Sequence, residues 1–456
     1  MIIKIDKHKS EYIAPEVAEF EQFSSYRMEK KKKVLVVGGG GRCHAIVDAL
    51  RRSPQVDKIY CAPGNAGIAG QAECVPLKDT DVEGLLRFAL AQSVDLTVVG
   101  PEAALAAGIA DRFRAEGLKI FGHTKAATAV ESSKDFAKQL MVKAGVPTAA
   151  YRTFCRYDEA LAHVRAGSFP TVIKYDGLAA GKGVVVAADL AEADAALRDM
   201  LLDARYGEGK VVIEEFLSGP EFSLMAFVSG RQVCPMPAAQ DHKRAFDGDE
   251  GPNTGGMGAY TESFATGKSG LSFISDADYD DAVSHILQPV ADAMADAGTP
   301  LTGVLYGGLM KTPSGIKVIE FNARFGDPET EVVLPRLESD AYALFEAVAT
   351  GQTIPAPSWR DEAVMGVVLA SKGYPGTYAK GAAITLAPAP DATLYHMGTA
   401  RDADGTLRTA GGRVLMAVAS AADMPEAARR CYGAVASVGC DNLFFRRDIA
   451  KYVLKK

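Results

Sequence analysis

The sequence predicts an α/β fold that opens with a doubly wound parallel sheet and continues into further mixed α/β domains. Short apolar strands recur at residues 33–37, 58–62, 95–99 and 119–121, and helical stretches such as 45–52 separate them. Such alternation is typical of a parallel sheet with helices on both faces. The second observation is length, because 456 residues suffice for two to four domains with large cores.

Composition and charge exclude several classes of protein. The formal net charge is −7 and the basic residues are scattered, which argues against a nucleic-acid partner. The seven cysteines lie far apart without a Cys-x-x-Cys pair, so neither structural zinc nor a disulfide framework is expected. No apolar run approaches the roughly 20 residues that span a membrane. We therefore expect a cytoplasmic protein with no membrane attachment.

An apolar strand near residue 320 ends in a turn that is rich in charge. Alternation along the strand places Glu320 and Asn322 on one face, whereas Phe321 points to the other. A carboxylate and an amide oxygen two residues apart suit a hard cation that carries substrate phosphates. Arg324 follows and offers a fork suited to a phosphate or carboxylate. The alternative interpretation is an ordinary strand end with solvated charges.

A glycine-rich loop joins two predicted strands, 171–175 and 184–186. It is not a Walker loop, because Gly183 replaces the usual Ser or Thr after the lysine and a strand follows instead of a helix. Such a hairpin can fold over a triphosphate with its backbone N–H groups. Lys174 and Lys182 would add positive charge there. The glycines concerned are Gly177, Gly181 and Gly183. A mobile surface hairpin with solvated lysines is the alternative.

Residues 211–221 form an apolar run that turns acidic. Such an edge could present backbone groups to an adenine and a carboxylate to ribose hydroxyls. The residues concerned are Glu214, Glu215, Phe216, Leu217 and, after the turn, Glu221. A strand that simply leaves the core is the competing interpretation.

Two more segments favour a ligand site. The polar run 240–244 precedes residues 251–258, whose glycine density predicts a close approach of backbone to ligand. Ser132 and Asp135 are placed as a capping box for a helix. Lys134 would then lie in the first turn, where a cation opposes the helix dipole unless an anion is near.

In the N-terminal sheet, ligands are expected beyond the carboxyl ends of the strands, at residues 38–42, 63–67 and 100–102. A nicotinamide dehydrogenase is excluded on two counts. The first turn lacks the third glycine of the dinucleotide fingerprint, and the second strand ends without an acidic residue for a ribose. A glycine-rich turn with Arg42 suits a single phosphate group instead.

The order of these motifs resembles the phosphoribosylamine–glycine ligase family, also called glycinamide ribonucleotide synthetases, within the ATP-grasp superfamily. The resemblance runs from about Lys33 to the C-terminus. The glycine-rich loop and Glu-x-Asn alone indicate only the superfamily. The more specific segments are Asp-His-Lys-Arg at 241–244, Asn-Thr-Gly-Gly-Met-Gly-Ala at 253–259 and Arg-Phe-Gly-Asp-Pro-Glu at 324–329.

The resemblance implies a domain plan and an activity. The plan is an extension at 1–32, an α/β substrate-binding domain at 33–132, an ATP-grasp domain of two α+β lobes at 133–358 and a small α/β domain at 359–456. The activity is ATP-dependent ligation of glycine to 5-phosphoribosylamine through glycyl phosphate, in purine biosynthesis. A monomer acting only on small molecules is expected.

The resemblance also implies residue roles. The metal, Mg²⁺ or Mn²⁺, would be held by Glu320 and Asn322. Nucleotide phosphates would contact Lys134, Lys174 and Gly177, Gly181, Lys182 and Gly183 of the loop. Adenine would lie at Glu214, Glu215, Phe216 and Leu217, with ribose at Glu221. Glycine and the acyl phosphate would be oriented by Asp241, Lys243, Arg324 and Asp327. The sugar phosphate would contact Gly41, Arg42, Asn65, Gly67, Pro101 and Glu102.

Three questions stay open at this point. Other ATP-grasp ligases, such as a carboxylase or a formate-dependent purine enzyme, and a non-catalytic nucleotide-binding protein are alternatives that the specific motifs oppose. Cys43 stands where the family commonly has Glu, which affects local contacts in that turn. The first 27 residues are expected to be a dispensable solvated arm, although an apolar stripe from Ile13 to Phe23 could instead dock on the body or on a second subunit.

Overall fold

The computed structural model describes residues 31–178 and 183–454. Its first sheet has five parallel strands in the order β3-β2-β1-β4-β5. These are β1 Lys32–Gly38, β2 Val56–Pro63, β3 Glu73–Cys74, β4 Leu96–Val99 and β5 Ile120–Phe121. The helices between them are α1 Gly41–Arg51, α2 Val82–Gln92, α3 Glu102–Ala106 and α4 Ile109–Ala115.

Helices cover both faces of this sheet. Residues 34–37 of β1 are fully buried, with Val34 and Val36 packed on the α1 side and Leu35 and Val37 on the side of α2 to α4. A strand buried on both faces reads as continuously apolar, as this one does. The predicted doubly wound sheet is confirmed. Helix α1 begins four residues earlier than predicted, so the glycine-rich turn forms its first turn.

Two consecutive helices, α5 Ala129–Ser132 and α6 Lys134–Ala144, lead into the central region. The predicted capping box is wrong. Ser132 ends α5, and Ser133 caps α6 by accepting a hydrogen bond from the backbone N–H of Phe136 at 3.1 Å. The Asp135 carboxylate instead accepts hydrogen bonds from Thr153 and Lys210. Lys134 is nevertheless the first helical residue, as expected.

The next part is a four-stranded antiparallel sheet with its own core, here called the lid lobe. Its strands run in the order β6-β9-β7-β8. They are β6 Tyr151–Phe154, β7 Thr171–Tyr175, β8 Val184–Ala187 and β9 Val211–Glu215, with helices α7 Tyr157–Ala166 and α8 Leu190–Leu201. A strand follows the glycine-rich loop, as predicted. Gly181 and Lys182 lie outside the described residues.

Residues 221–322 supply eight further strands. They are β10 Glu221–Ser229, β11 Gln232–Pro235, β12 Gln240–Asp241, β13 Arg244–Phe246, β14 Glu250–Asn253, β15 Gly258–Thr261, β16 Thr302–Thr312 and β17 Gly315–Asn322. Four of them form the antiparallel sheet β11-β10-β16-β17. Helices α9 Asp276–Ala282 and α10 Gln288–Asp296, joined by one π-helical turn, pack in the same core as this sheet. This second lobe presents β17 at an edge of its sheet.

The remaining elements complete a C-terminal layer. The helices are α11 Thr330–Val333, α12 Ala341–Thr350, α13 Met424–Ala436 and α14 Lys451–Leu454. The strands are β18 Ala363–Ser371, β19 Thr385–Leu386, β20 Thr393–His396, β21 Thr399–Arg401, β22 Leu407–Thr409, β23 Arg413–Ala421, β24 Val438–Gly439 and β25 Leu443–Phe444.

The main C-terminal sheet runs β12-β15-β18-β23-β20, with β25 also paired to β18. It therefore combines strands from both sides of the predicted boundary at 358/359. This arrangement brings the segment after residue 240 against the C-terminal residues. Among the described residues, no helix is long and apolar enough to cross a membrane.

Candidate active site

A cavity of about 1150 Å³ lies between the two lobes, α6 and the C-terminal layer. It brings together most of the predicted site residues. Those that line it are Arg42, Glu102, Lys134, Lys174, Gly177, Gly183, Glu214, Glu215, Phe216, Leu217, Glu221, Asp241, Lys243, Glu320, Asn322, Arg324 and Asp327. The predicted residues Gly41, Asn65, Gly67 and Pro101 do not line it.

Strand β17 presents Glu320 to this cavity among cations. Burial opposes ionisation of this carboxyl, but Lys243, Lys174 and Lys134 hold its pKa below the ordinary value for Glu. The neighbouring Phe321 packs in the hydrophobic core, as the alternation predicts. Asn322 is nearly buried, and its side-chain oxygen accepts a hydrogen bond from Arg324 at 3.0 Å.

The residues present fit a phosphate-bound hard cation at this strand. Within 31–178 and 183–454, no three His, Cys, Asp or Glu side chains are arranged to hold a metal ion. A cation at Glu320 and Asn322 would therefore take its other ligands from nucleotide phosphates and water, which is a common arrangement for Mg²⁺.

Arg324 is held by carboxylates on two sides. Its Nη2 atom lies 3.1 Å from Glu131 Oε1, and its Nε atom lies 3.4 Å from Glu102 Oε2. Burial opposes the charge, yet these two carboxylates raise the pKa of Arg324 above its ordinary value. The guanidinium is therefore a fixed positive charge at the cavity wall. Its predicted role towards glycine or an acyl phosphate stays a prediction.

The two predicted phosphate lysines both line the cavity and make different contacts. Lys134 Nζ donates to the carbonyl oxygen of Gly177 at 3.0 Å, and burial lowers the pKa of this lysine. Lys174 Nζ donates to the carbonyl oxygen of Ile319 and lies 2.9 Å from Glu214 Oε1. Lys174 is thus engaged with the predicted adenine residue Glu214 in this structure.

Asp241 and Lys243 also line the cavity. Lys243 Nζ lies 2.7 Å from Glu221 Oε2, which joins a predicted catalytic residue to the predicted ribose residue. Desolvation opposes the charge, but Glu221 and Glu320 raise the pKa of Lys243. Burial and the nearby Glu329 raise the pKa of Asp241 well above the ordinary Asp value.

The cavity is also lined by residues to which the sequence analysis gave no role, among them Lys138, Glu329, Arg413 and Tyr452. Glu329 accepts hydrogen bonds from the hydroxyls of Ser223 and Tyr306 at 2.6 and 2.8 Å. Arg413 Nη1 lies 2.9 Å from Asp327 Oδ1 and donates to the Gly255 carbonyl.

Glu329 ends the motif at 324–329 and Lys138 lies on the helix predicted after Ser132, but neither was given a role. Arg413 and Tyr452 come from the C-terminal part, to which sequence reasoning gave no chemical motif. Two C-terminal side chains therefore complete the cavity wall.

The N-terminal turns lie beside this cavity and are held mainly by internal contacts. Arg42 Nη1 donates to the Gly100 carbonyl, and Glu102 lies 3.8 Å away. The Asn65 amide donates to the carbonyls of Gly39 and His396, and its oxygen accepts from the N–H groups of residues 67 and 68. The Asn65 side chain thus has a structural role here, and its predicted substrate contact stays a prediction.

Cys43 fills the space between two glycines of these turns. A Cβ atom added at Gly38 or at Gly100 would lie 2.4 Å from Cys43 Sγ. Burial raises the pKa of the Cys43 thiol to about 12, so the group is a packing residue and not a reactive thiolate.

Three domain descriptions of the phosphoribosylglycinamide synthetase family match consecutive parts of the chain. The N domain matches residues 32–131, the ATP-grasp (A) domain residues 132–330 and the C domain residues 364–452. The chain belongs to this family. It is therefore an ATP-dependent ligase, and an ATP-grasp ligase uses ATP and a divalent cation. The predicted fold class, with an N-terminal parallel sheet, a central ATP-grasp domain and a C-terminal domain, is confirmed.

Curated relatives agree with this membership. A phosphoribosylamine–glycine ligase from Halalkalibacterium halodurans is 51% identical over 420 residues, which is 91% of this chain and 96% of that protein. One from Listeria monocytogenes serovar 1/2a is 48% identical over 421 residues, which is 91% of this chain and 98% of that protein.

Solved structures show the same architecture. A phosphoribosylamine–glycine ligase from Thermotoga maritima has a TM-score of 0.79 and 31% identity, covering 91% of this chain and all of that one. A biotin carboxylase from Campylobacter jejuni has a TM-score of 0.69 at 12% identity, covering 91% and 93% of the two chains. The second likeness concerns the fold alone.

Proposed function

We propose that this chain ligates glycine to 5-phosphoribosylamine with ATP, giving glycinamide ribonucleotide, ADP and phosphate in de novo purine biosynthesis. The observation that carries the proposal is the cavity in which Glu320 and Asn322 face Lys134, Lys174 and Lys243. The named activity of relatives about half identical in sequence supports the choice of substrates.

The chemistry needs a carboxylate that is activated and then attacked by an amine. An oxygen of the glycine carboxylate attacks the γ-phosphorus of ATP, the bond to the bridging oxygen breaks, and ADP leaves. The amine of phosphoribosylamine then attacks the carbonyl carbon of glycyl phosphate. Phosphate leaves, the nitrogen loses a proton and the amide forms. Such transfer depends mainly on positioning and on neutralising charge.

The cation, which we propose to be Mg²⁺ or Mn²⁺, would be held by Glu320 and Asn322 and would neutralise phosphate charge. The chain supplies its own positive charge around the same position through Lys134, Lys174 and Arg324. Lys134 is paired here with the carbonyl oxygen of Gly177, and binding of ATP would exchange this partner for a phosphate oxygen.

The remaining roles follow the arrangement of the cavity. We propose that residues 214–217 hold the adenine and that Glu221 holds the ribose. Asp241, Lys243, Arg324 and Asp327 would orient glycine and the acyl phosphate. Glu329 would support these residues through its hydrogen bond with Tyr306. Arg413 would support them through its ion pair with Asp327.

The sugar phosphate would bind beside the N-terminal turns. Its contacts would come from Arg42, Glu102 and the backbone around Gly41, Gly67 and Pro101. We also propose the domain boundaries 33–132, 133–358 and 359–456, and a cytoplasmic monomer that acts only on small molecules. Light scattering after size-exclusion chromatography tests the monomer.

One experiment tests the reaction. ADP release is measured with glycine and with phosphoribosylamine generated in situ, and each substrate is omitted in turn. Glycine-dependent and phosphoribosylamine-dependent ADP release is expected. ADP release with bicarbonate or formate, but not with glycine, would replace this proposal by another ATP-grasp ligase activity.

A further inference from the structure

A second cluster of charges lies on the wall of the cavity, one helical turn beyond Lys134. Lys138 of α6 is 2% exposed and lines the cavity. Its Nζ atom lies 3.0 Å from Glu214 Oε2 and donates to the hydroxyl of Thr148 at 2.8 Å. The Thr148 hydroxyl in turn donates to the carbonyl of Val318 at 2.8 Å, on β17, the strand that carries Glu320.

The carboxylate at the centre of this cluster is held on two sides. Glu214 is 4% exposed, and Lys174 Nζ lies 2.9 Å from its Oε1 atom while Lys138 holds Oε2. Despite this short distance, Glu214 Oε1 has no partner at hydrogen-bond geometry. One buried oxygen lone pair is therefore left for a donor that enters the cavity.

Two ammonium groups, those of Lys138 and Lys174, lie within 3.0 Å of this carboxylate and face one oxygen each. Burial opposes the charge of Lys138, and although Glu214 opposes that effect, the pKa of Lys138 is lowered to about 8. An ionised carboxylate only accepts hydrogen bonds. A ligand group that faces Glu214 must therefore donate. The 6-amino group of adenine donates, whereas the 6-oxo group of hypoxanthine or guanine accepts.

We propose that Lys138 is a positioning residue that fixes the Glu214 carboxylate and thereby makes the nucleotide site select a 6-amino purine over a 6-oxo purine. This inference rests on the proposed function, in that the cavity holds the base of ATP. Among the partners of Lys138, which include Thr148 and the ring of Tyr151 at 5.6 Å, Glu214 is the one proposed to contact the nucleotide base, so Lys138 acts through it.

The test compares ADP with IDP, which differ only at position 6 and in the N1 proton that accompanies the oxo group. Dissociation constants of both are measured by calorimetry for the full chain and for Lys138→Met. The full chain should prefer ADP. Lys138→Met should reduce the ADP preference by about tenfold or more, mainly through weaker ADP binding, since charged hydrogen bonds contribute on that scale.

Two variants distinguish a positioning role from general damage. Glu214→Gln should lose the ADP preference directly, because an amide both donates and accepts. Adding Lys138→Met to Glu214→Gln should change the ratio no further, which a merely structural role would not predict. Lys143→Met, an exposed lysine on the same helix, should leave the ratio unchanged.

Thermal unfolding of each variant is measured first. If Lys138→Met does not fold, Thr148→Val decides, since it removes the other partner of Lys138 Nζ and should move the ratio in the same direction. An unchanged ADP/IDP ratio in the folded variants, or a full chain without preference, overturns the inference while leaving the ligase proposal intact. A full chain that binds neither nucleotide overturns both.

Discussion

The N-terminal turns and the central cavity carry the same kind of sequence signal, glycines beside cations, but they use it differently. In the turns, both polar atoms of the Asn65 side chain form hydrogen bonds with backbone groups of the protein. In the cavity, Glu320 and three lysines keep unlike charges close together around open space. Around Asn65 the turns form a close-packed joint, whereas the cavity, which Arg42 and Glu102 of the turns also line, has charge available for a ligand.

The comparison teaches that glycine content alone does not locate a ligand. A Cβ atom added at Gly67 would lie 2.3 Å from the ring of His396, and one added at Gly39 would lie 2.5 Å from the Gly64 carbonyl oxygen. These glycines are required because protein approaches protein. A ligand site is better recognised by charged groups that line a cavity and lack sufficient partners of their own.

The largest expected effect is on the cavity side. Glu320→Gln should lower turnover by about 100-fold to 1000-fold, because the developing phosphoryl charge loses a carboxylate-held cation. The protein should stay folded, because the amide keeps the size of the side chain, but the melting temperature should fall modestly, because the surrounding cations lose a carboxylate. Steady-state ADP release and thermal unfolding measure the two.

Glu338→Gln, at an exposed position, is the matched control and should keep full turnover. Near-normal turnover of Glu320→Gln at limiting Mg²⁺ would show that Glu320 is not a metal ligand.

The next-largest expected effect is a loss of stability in acid, caused by His44 beside the N-terminal turns. His44 is 2% exposed, and its Nδ1 atom accepts a hydrogen bond from the backbone N–H of His396 at 2.8 Å. Burial, with the nearby His396 and Arg51, lowers the pKa of His44 to about 3. The unfolded chain binds this proton near pH 6.5 and the folded chain only near pH 3, so stability is present above pH 6.5 and lost as pH falls.

At pH 4 this single group should lower the free energy of unfolding by on the order of 3 kcal/mol relative to pH 7. Urea unfolding between pH 7 and pH 4 measures it. His44→Gln should reduce the acid dependence, the rest of which comes from other buried histidines such as His123 and His242, whereas replacing the exposed His285 should not change it. The same slope with and without His44 would contradict the assignment.

A third prediction distinguishes a structural role of the N-terminal turns from a role in binding nucleotide. Asn65→Ala should lower the free energy of unfolding by about 2 kcal/mol, because it leaves two carbonyls and two N–H groups without their partner. ADP affinity should stay the same. Asn442→Ala, which removes one exposed hydrogen bond, is the control and should cost less. Weaker ADP binding by Asn65→Ala would mean that the turn reaches the nucleotide.

The sequence predicted the features that depend on local patterns. Alternation along β17 placed Glu320 and Asn322 on one face because a strand has a period of two residues. Strand and helix alternation predicted the parallel sheet for the same local reason. The start of α1 and the cap of α6 were wrong, because the contacts of neighbouring segments decide where a helix begins.

Features that depend on distant parts of the chain were missed. Arg413 pairs with Asp327, which is 86 residues away in the sequence, and Lys138 pairs with Glu214, which is 76 residues away. No local sequence pattern predicts either pair. Lys138 does lie four residues after Lys134 on the same face of α6, which is the one local signal that could have found it. The C-terminal contribution to the cavity required the shared sheet of β12, β15 and β18.

The smallest effect is expected at Glu102, a side chain that contacts both regions. Glu102 Oε2 lies 3.8 Å from Arg42 Nη1 in the N-terminal turn and 3.4 Å from Arg324 Nε in the cavity wall. Burial opposes its charge, but these two guanidinium groups lower the pKa of Glu102. Because the pair is partly exposed, Glu102→Gln should cost less than about 1 kcal/mol of stability.

Its kinetic effect should fall on one substrate only. Loss of the charge releases Arg42 from its position beside the N-terminal turns, so the KM for phosphoribosylamine should rise several-fold, while Arg324 stays held by Glu131 and the KM for ATP stays the same. Glu83→Gln, which breaks a surface pair with Arg112, should change neither constant. An equal rise in both KM values would mean that the N-terminal turns and the cavity act as one site, because the change at Glu102 would then reach nucleotide binding through its contact with Arg324.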